Sequence, residues 1–311
     1  MRTHVGIAIQ GTTKCNLRCV HCLGNDFVYV QKDRPHITPA LFRDYTKKCT
    51  DFGISDFEIT PIVGEFFNIP HWQDIIMDLD HNDLVRNFDL YTNYTITSPV
   101  SIDLMNTMKK LNLVISVHGW DRADFFAFTG RNLFDRFLAS VNYLMHTLAL
   151  NKNRSVTFRV EGEMPKVNRL AMMIRAMVDT DKVKLEQVKN YSNWGGMIPK
   201  GSFVDEELLK KRDGICEYAI YVNGIDSVGD MTLCSCQDIN HQLHIGNISM
   251  GLDSIYSKKW VYDDSPYFKY LKMQNEGIWF DPCYACTEYK PISRKKLENA
   301  AEDIPILEEL L

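Results

Sequence analysis

Apolar residues recur along this chain in two alternating rhythms. Short runs rich in β-branched and aromatic residues read as strands: "HVGIAIQ" (4–10), "DFEIT" (56–60), "FDLYT" (88–92), "LVISV" (113–117), "SVTFRVE" (155–161) and "KVKLEQV" (182–188). Between them, apolar residues fall at helical spacing. "ITPALFRDYTKKC" offers Thr38 as N-cap and Pro39 at the first helical position, with Leu41, Phe42 and Tyr45 on one face. Further helices are predicted from Pro70, Ser101, Leu133 and Val167. Six strands alternating with helices predict right-handed crossovers and a parallel sheet, either doubly wound or curled toward a barrel. In such barrels ligands gather at the C-terminal ends of the strands.

The rhythm changes near residue 200. "NWGGMIPKGSF" (193–203) reads as a linker. "YAIYVNG…SVGDMTLC" reads as a β-hairpin ending at Cys234, followed by short helical stretches over 252–260 and 266–273. From Arg294 the tail reads as an amphipathic helix carrying Leu297, Ile304, Leu307 and Leu311.

Composition narrows the function classes. The 311 residues carry 35 basic and 40 acidic side chains, a formal net charge of -5. That argues against a nucleic-acid binder. No run is apolar enough to suggest a membrane span or a signal peptide, so a cytoplasmic address is expected. Thiols stay reduced there, and the nine cysteines ask for a metal or redox reading rather than disulfides.

The cysteines are unevenly spread. Cys15, Cys19 and Cys22 crowd the loop after the first predicted strand, and Cys49 stands alone as a buried thiol. Cys216, Cys234, Cys236, Cys283 and Cys286 form a late group. A structural zinc site wants four closed ligands. Three thiols on one short loop instead suit a four-iron, four-sulfur cluster with one iron left open.

With CxxxCxxC after a first strand on an alternating α/β chain, the sequence resembles the radical S-adenosylmethionine (SAM) enzymes. His21 fits the family's preference for an aromatic before the third cysteine. In the family a GGE-like turn follows the second strand; here "TPIVGEFF" keeps Gly64 and Glu65, with Val63 and Phe66 in place of a glycine and a proline. The family often has Thr-Asn-Gly after the third strand; here "YTNYT" keeps Thr92 and Asn93 but not the glycine. Ser116, at the end of the fourth strand, and Arg159, on the fifth, match positions that meet SAM. Each has a plainer reading as a turn glycine, a turn asparagine, a strand-end hydroxyl or a carboxylate partner. The late cysteines resemble the SPASM/twitch extension, in its shorter twitch form. That resemblance implies Cys216, Cys234, Cys283 and Cys286 as ligands of an auxiliary cluster, with Cys236 as a spare. A zinc ribbon from the same residues is the competing reading.

The resemblance implies a partial (β/α)6 TIM-like barrel over residues 1–200, a twitch-type β-hairpin and helix domain over 201–292, and a C-terminal helix over 293–311. It implies SAM and two 4Fe-4S clusters as cofactors and a flavodoxin- or ferredoxin-type electron donor as partner. The expected function is a radical SAM oxidoreductase that dehydrogenates an alcohol carbon of a small sugar- or cyclitol-like molecule. The alternative is a maturase of peptides or proteins, and the non-enzymatic one a scaffold that has lost the chemistry. Lys200, His118 and Glu161 are the candidate catalytic residues, and Tyr91 a further substrate contact.

Overall fold

The computed structural model describes residues 6–22, 34–59, 63–188, 212–235, 238, 241–260 and 263–311. Lys200, Cys236 and the linker at 193–203 lie outside the described residues, as does the side chain of Glu161.

The first half alternates as expected. β1 (Gly6–Ile9), α1 (Pro39–Phe52), β2 (Asp56–Ile59), α2 (Trp72–His81), β3 (Asn87–Thr92), α3 (Pro99–Thr107) and β4 (Leu111–Val117) follow in turn. α4 (Arg122–Thr129), α5 (Phe134–Thr147), β5 (Ser155–Glu161), α6 (Arg169–Val178) and β6 (Val183–Val188) complete it. Thr38 caps α1 through a hydrogen bond from the Leu41 N–H, and Pro39 opens the helix. α4 was not expected from the apolar pattern, because its hydrophobic residues do not fall on one face. Local signals make it: Asp121 caps its start, accepting from the N–H groups of Ala123 and Asp124, and Gly130 ends it in the left-handed conformation.

The second half comprises α7 (Glu217–Tyr221), β7 (Val222–Ile225), β8 (Asp230–Thr232), β9 (His244–Asn247), α8 (Leu252–Ile255), α9 (Pro266–Asn275) and α10 (Arg294–Asp303). Two expectations need correction. "EYAIY" is a helical turn, not the first strand of the hairpin, so the strand begins only at Val222. Leu311 is exposed; the tail buries Leu297, Leu307 and Leu310 instead, because α10 gives way to a 3-10 turn at Pro305.

Among the described residues the nine strands form one sheet in the order β6-β5-β4-β3-β2-β1-β7-β8-β9. β1 to β7 run parallel, and β8 and β9 are antiparallel additions at one edge. This is a partial barrel whose hairpin continues the same sheet through β1. The register sorts side chains onto two faces. Ile7, Ile9, Phe57, Ile59, Phe88, Leu90, Leu113, Ile115 and Phe158 are buried in the core together with helix residues such as Phe42, Ile75 and Phe137. The other face carries Ala8, Glu58, Asp89 and Asn112 in one register row, with Tyr91, Ser116 and Arg159 further along. That inner face is polar, unlike the packed interior of a closed barrel. Among the described residues no helix is long and apolar enough to cross a membrane.

Candidate functional site

The three-cysteine loop leaves β1 at its C-terminal end and is clamped from three directions. The Lys14 carbonyl accepts from the Glu65 N–H (3.0 Å) and from Asn68 Nδ2 (3.0 Å), both on the turn after β2. Arg18 N and Val20 N donate to the carbonyls of Thr129 (2.8 Å) and Phe128 (2.9 Å), at the end of α4. Gly11 packs so closely that a Cβ there would lie 2.6 Å from Ile69 and 2.8 Å from Ile37. Thus α4, which the apolar pattern missed, supplies backbone acceptors that shape the loop.

The end of β3 meets the same loop. Asn93 Nδ2 lies 3.8 Å from Cys15 Sγ and donates to Asn16 Oδ1 (3.0 Å), while Asn93 Oδ1 accepts from both the N–H and the hydroxyl of Thr95. Leu17 N–H also points at Cys15 Sγ (3.4 Å). Cys15 has exposed surface, but its sulfur looks back onto these groups. Desolvation, then the Glu65 carboxyl, with Cys22 contributing as well, push the thiol up to about 12. Crowded thiols of this kind ionise only with a compensating positive charge beside them.

Glu65 is buried and fully engaged. Its Oε1 accepts from the Thr92 hydroxyl (2.7 Å) and its Oε2 from the Asn93 N–H (2.8 Å). Burial pushes its carboxyl up to about 7 against these hydrogen bonds. Its side chain therefore joins the turn after β2 to the end of β3, and it acts on the loop as a positioning residue. Tyr94, where the resemblance expected glycine, keeps the left-handed backbone with φ of 58°. A bulky residue there is strained. Complete burial of its ring holds it in place, with the hydroxyl lacking a hydrogen-bond partner.

The other expected residues spread around this centre. His21 and His118 flank the Phe128 ring, at centroid distances of 4.5 and 5.2 Å. Ser116 and Arg159 are register neighbours on the inner face, and Arg159 Nε lies 3.5 Å from Glu186, which matches its plainer reading as a carboxylate partner. Val63 and Phe66, flanking Gly64 and Glu65, are both buried. Sequence reading missed Glu58, Asp89 and Asn112. Asn112 Nδ2 donates to Asp89 (2.6 Å), and burial, then Asp89, pushes Glu58 up to about 7. Their signal was the polar half of each strand's alternation.

The late cysteines do converge. Cys216, Cys234, Cys283 and Cys286 line one pocket, walled by Leu233, Leu243, Trp279 and Pro282 among others. Three separate segments deliver them. Cys216 precedes α7, Cys234 follows β8, and Cys283 and Cys286 sit on the late turn. Gln274, fully buried on α9, accepts from the Cys216 N–H (3.0 Å) and points Nε2 at Cys283 Sγ (3.7 Å). Glu288 N–H points at Cys286 Sγ (3.3 Å), and Arg212 donates to the carbonyls of Tyr284 and Cys286. Burial first and neighbouring thiols second push Cys283 up to about 12, and burial does the same to Cys286. Among the described residues no three His, Cys, Asp or Glu side chains close on a single-ion site. The fit to a metal group therefore rests on the donor set and the pocket: four thiols, N–H groups aimed at sulfur, and an apolar wall, the surroundings of an iron–sulfur cluster. Cys49 is buried in the main core.

Comparison with solved structures decides the fold. BtrN in complex with AdoMet and 2-DOIA matches 95% of this chain and 97% of its own, at 14% identity and a TM-score of 0.59. The chain has a radical SAM fold. Native anSMEcpe with bound AdoMet and Cp18Cys peptide matches over 98% of both chains at 12% identity and a TM-score of 0.58. BtrN in an open conformation matches at 13% identity, over 95% of this chain and 97% of its own, with a TM-score of 0.50. No family model and no curated protein sequence matches the chain.

Proposed function

We propose that this protein is a radical SAM oxidoreductase that dehydrogenates an alcohol carbon of a small sugar- or cyclitol-like molecule. The observation that carries the reading is the convergence of Cys216, Cys234, Cys283 and Cys286 on one pocket, in a fold whose β1 ends in CxxxCxxC. Cys15, Cys19 and Cys22 would hold a SAM-binding 4Fe-4S cluster, and the four late cysteines an auxiliary one. With SAM bound, the group held by Cys15, Cys19 and Cys22 would supply one-electron reductive chemistry, and the group held by the late cysteines an electron acceptor. The chain's own residues supply the frame. Asn93, Ser116 and Arg159 border the place for SAM, and Gly64 gives its backbone there. Glu65 acts through Asn93, and His21 and His118 pack beside the loop. Lys200, His118 and Glu161 remain proposed proton-handling groups.

The division into 1–200, 201–292 and 293–311 is on this reading one of chemistry, since the hairpin shares the main sheet. A flavodoxin- or ferredoxin-type donor in a reducing cytoplasm would supply electrons. A specific observation favours a second reading, a peptide or protein maturase. The likeness to anSMEcpe with a peptide bound is nearly as high as that to BtrN with 2-DOIA.

Anaerobic reconstitution should give about eight irons per chain, from two four-iron groups. A strong reductant should then release 5′-deoxyadenosine from SAM, and a polyol should lose two hydrogens in mass. Zinc in place of iron, or no 5′-deoxyadenosine, overturns the reading. A mass change on a peptide alone selects the second.

A further inference from the structure

A second, smaller pocket lies where β1 and β7 end. Its lining includes Ala8, Gln10, Gly224, Asp226, Ser235 and His241, around a void of about 10 Å³. β1 and β7 pair Ala8 with Gly224, so the pocket opens from the inner face of the sheet, at the strand ends where a barrel binds ligands. Along the chain, Gln10 lies just before the Cys15 loop, and Ser235 follows Cys234 directly. The pocket is thus bounded by segments that run into both thiol sites.

Its polar groups are set in place and left unanswered. Gln10 is 5% exposed, and its Nε2 has no hydrogen-bond partner among the described residues. His241 Nδ1 has none either; the nearest acid, Asp226 Oδ2, is 3.9 Å away. Asp226 is fixed because its Oδ1 accepts from the N–H groups of Val228 (2.9 Å) and Asp230 (3.0 Å). His241 is held in the left-handed region with φ of 52°, its N–H bonded to the Asp238 carbonyl, while the Asp238 carboxylate accepts from the N–H groups of Gln242 and Leu243. A strained, well-braced residue beside orphaned buried polar atoms marks a site made for a ligand rather than a packing fault.

Charge then selects the ligand. Arg34 lies 3.0 Å from Asp226 and 3.1 Å from Asp230, so the carboxylate at the pocket already has its cation. Burial pushes His241 down to about 4 despite Asp238 and Asp230, which leaves its imidazole neutral. An ammonium would meet a carboxylate already neutralised, and a carboxylate would meet Asp226. A hydroxyl can accept from an amide N–H and donate to a ring nitrogen or a carboxylate oxygen at once.

We propose that the Gln10–Asp226–His241 pocket is a recognition subsite for a neutral hydroxyl of the substrate, and so selects a polyol at this position over an amine or an acid. This rests on the proposed polyol chemistry, and a void of about 10 Å³ admits a single hydroxyl rather than a whole ring.

The test uses the anaerobically reconstituted protein with SAM and myo-inositol as the probe, with an inosamine and an inositol carboxylate analogue alongside. Binding is followed by saturation-transfer NMR. Myo-inositol should bind more tightly than either charged analogue, and Gln10→Met should weaken it at least tenfold. The same substitution removes an unpaired buried amide, so Tm in the absence of probe should hold or rise. Equal binding by wild type and Gln10→Met, preference for the inosamine, or a fall in Tm with binding retained would each overturn the subsite. A crystal soaked in myo-inositol gives an answer that needs no variant: a hydroxyl between Gln10 and His241 supports it, and only ordered waters there with inositol bound elsewhere overturns it. Failure of the radical SAM reading would show separately, as missing iron or missing 5′-deoxyadenosine in the same preparation.

Discussion

The two thiol sites are built on opposite plans. Cys15, Cys19 and Cys22 come from one loop, and the fold's work is to brace that loop from outside through Glu65, Asn68, Phe128 and Thr129. Cys216, Cys234, Cys283 and Cys286 come from three segments, and the fold's work is to bring them together. Yet each site holds one buried amide against a sulfur, Asn93 at Cys15 and Gln274 at Cys283, at nearly equal distances of 3.8 and 3.7 Å. A loop braced from outside by backbone hydrogen bonds keeps its shape without its thiols, whereas a site assembled from distant segments joins those segments.

The largest expected effect breaks the first site alone. Changing Cys15, Cys19 and Cys22 together to alanine should abolish 5′-deoxyadenosine and leave about four of roughly eight irons. Because the loop is braced by backbone hydrogen bonds that survive, Tm without metal should barely move. A large fall in Tm would show that the thiols themselves hold the loop.

The second measurement breaks the other site. Replacing Cys283 and Cys286 with alanine should leave 5′-deoxyadenosine formation in reduced amount while oxidised product falls below detection. A metal group bound here would also tie distant segments, so on that proposal the reconstituted variant should lose far more stability than the triple one. Circular dichroism reports the fold and iron analysis the surviving cluster. Product formed at the wild-type rate would show that the late site has no redox part.

Glu65 sharpens the comparison through pH. Its carboxyl in the folded protein is raised to about 7 from an ordinary 4.5. A raised value means that folding favours the protonated form. That contribution is fully present below about 4.5 and is lost as pH rises through about 7. Wild type should therefore lose up to about 3 kcal/mol relative to Glu65→Gln across that window. Paired denaturant titrations at pH 4.5 and 8 measure it, and parallel curves for the two proteins would refute it.

The smallest effect concerns Tyr94. Its buried hydroxyl lacks a partner, so Tyr94→Phe should stabilise by about 1 kcal/mol. Tyr94→Gly would relieve the left-handed backbone but empty a ring's volume from the core, and should destabilise by roughly 3 kcal/mol or more. Chemical denaturation of the two variants checks both signs.

How much of this was legible follows the same contrast. The parallel sheet was, because Ile7, Phe57, Phe88 and Phe158 sit in short runs with the right period and turn signals between them. The Cys15 loop was, because its residues are neighbours in the chain. α4 was not, since its start and stop depend on Asp121 and Gly130 rather than on an apolar stripe. "EYAIY" misled because aromatic and β-branched residues at a helical turn look like a strand. Glu58, Asp89 and Asn112 became a group only through strand register, which a single sequence does not carry. Tyr94 shows the reverse case: the residue departs from the resembling pattern, while the backbone conformation that glycine would favour is kept.

β1 lies in the interior of the sheet, hydrogen-bonded to β2 on one side and to β7 on the other. Gly6 leaves the ribosome well before its partner Val222, which follows more than two hundred positions later. At about 5–20 residues per second, one edge of β1 waits roughly 10–40 s for its neighbour. An unpaired, apolar parallel edge invites pairing with other chains, and contacts of such long range form slowly. A fragment ending near residue 200 would carry that open edge permanently. Such a fragment should aggregate where the whole chain stays dispersed, so the late segment serves as the cover that completes the sheet as well as the source of the second set of thiols.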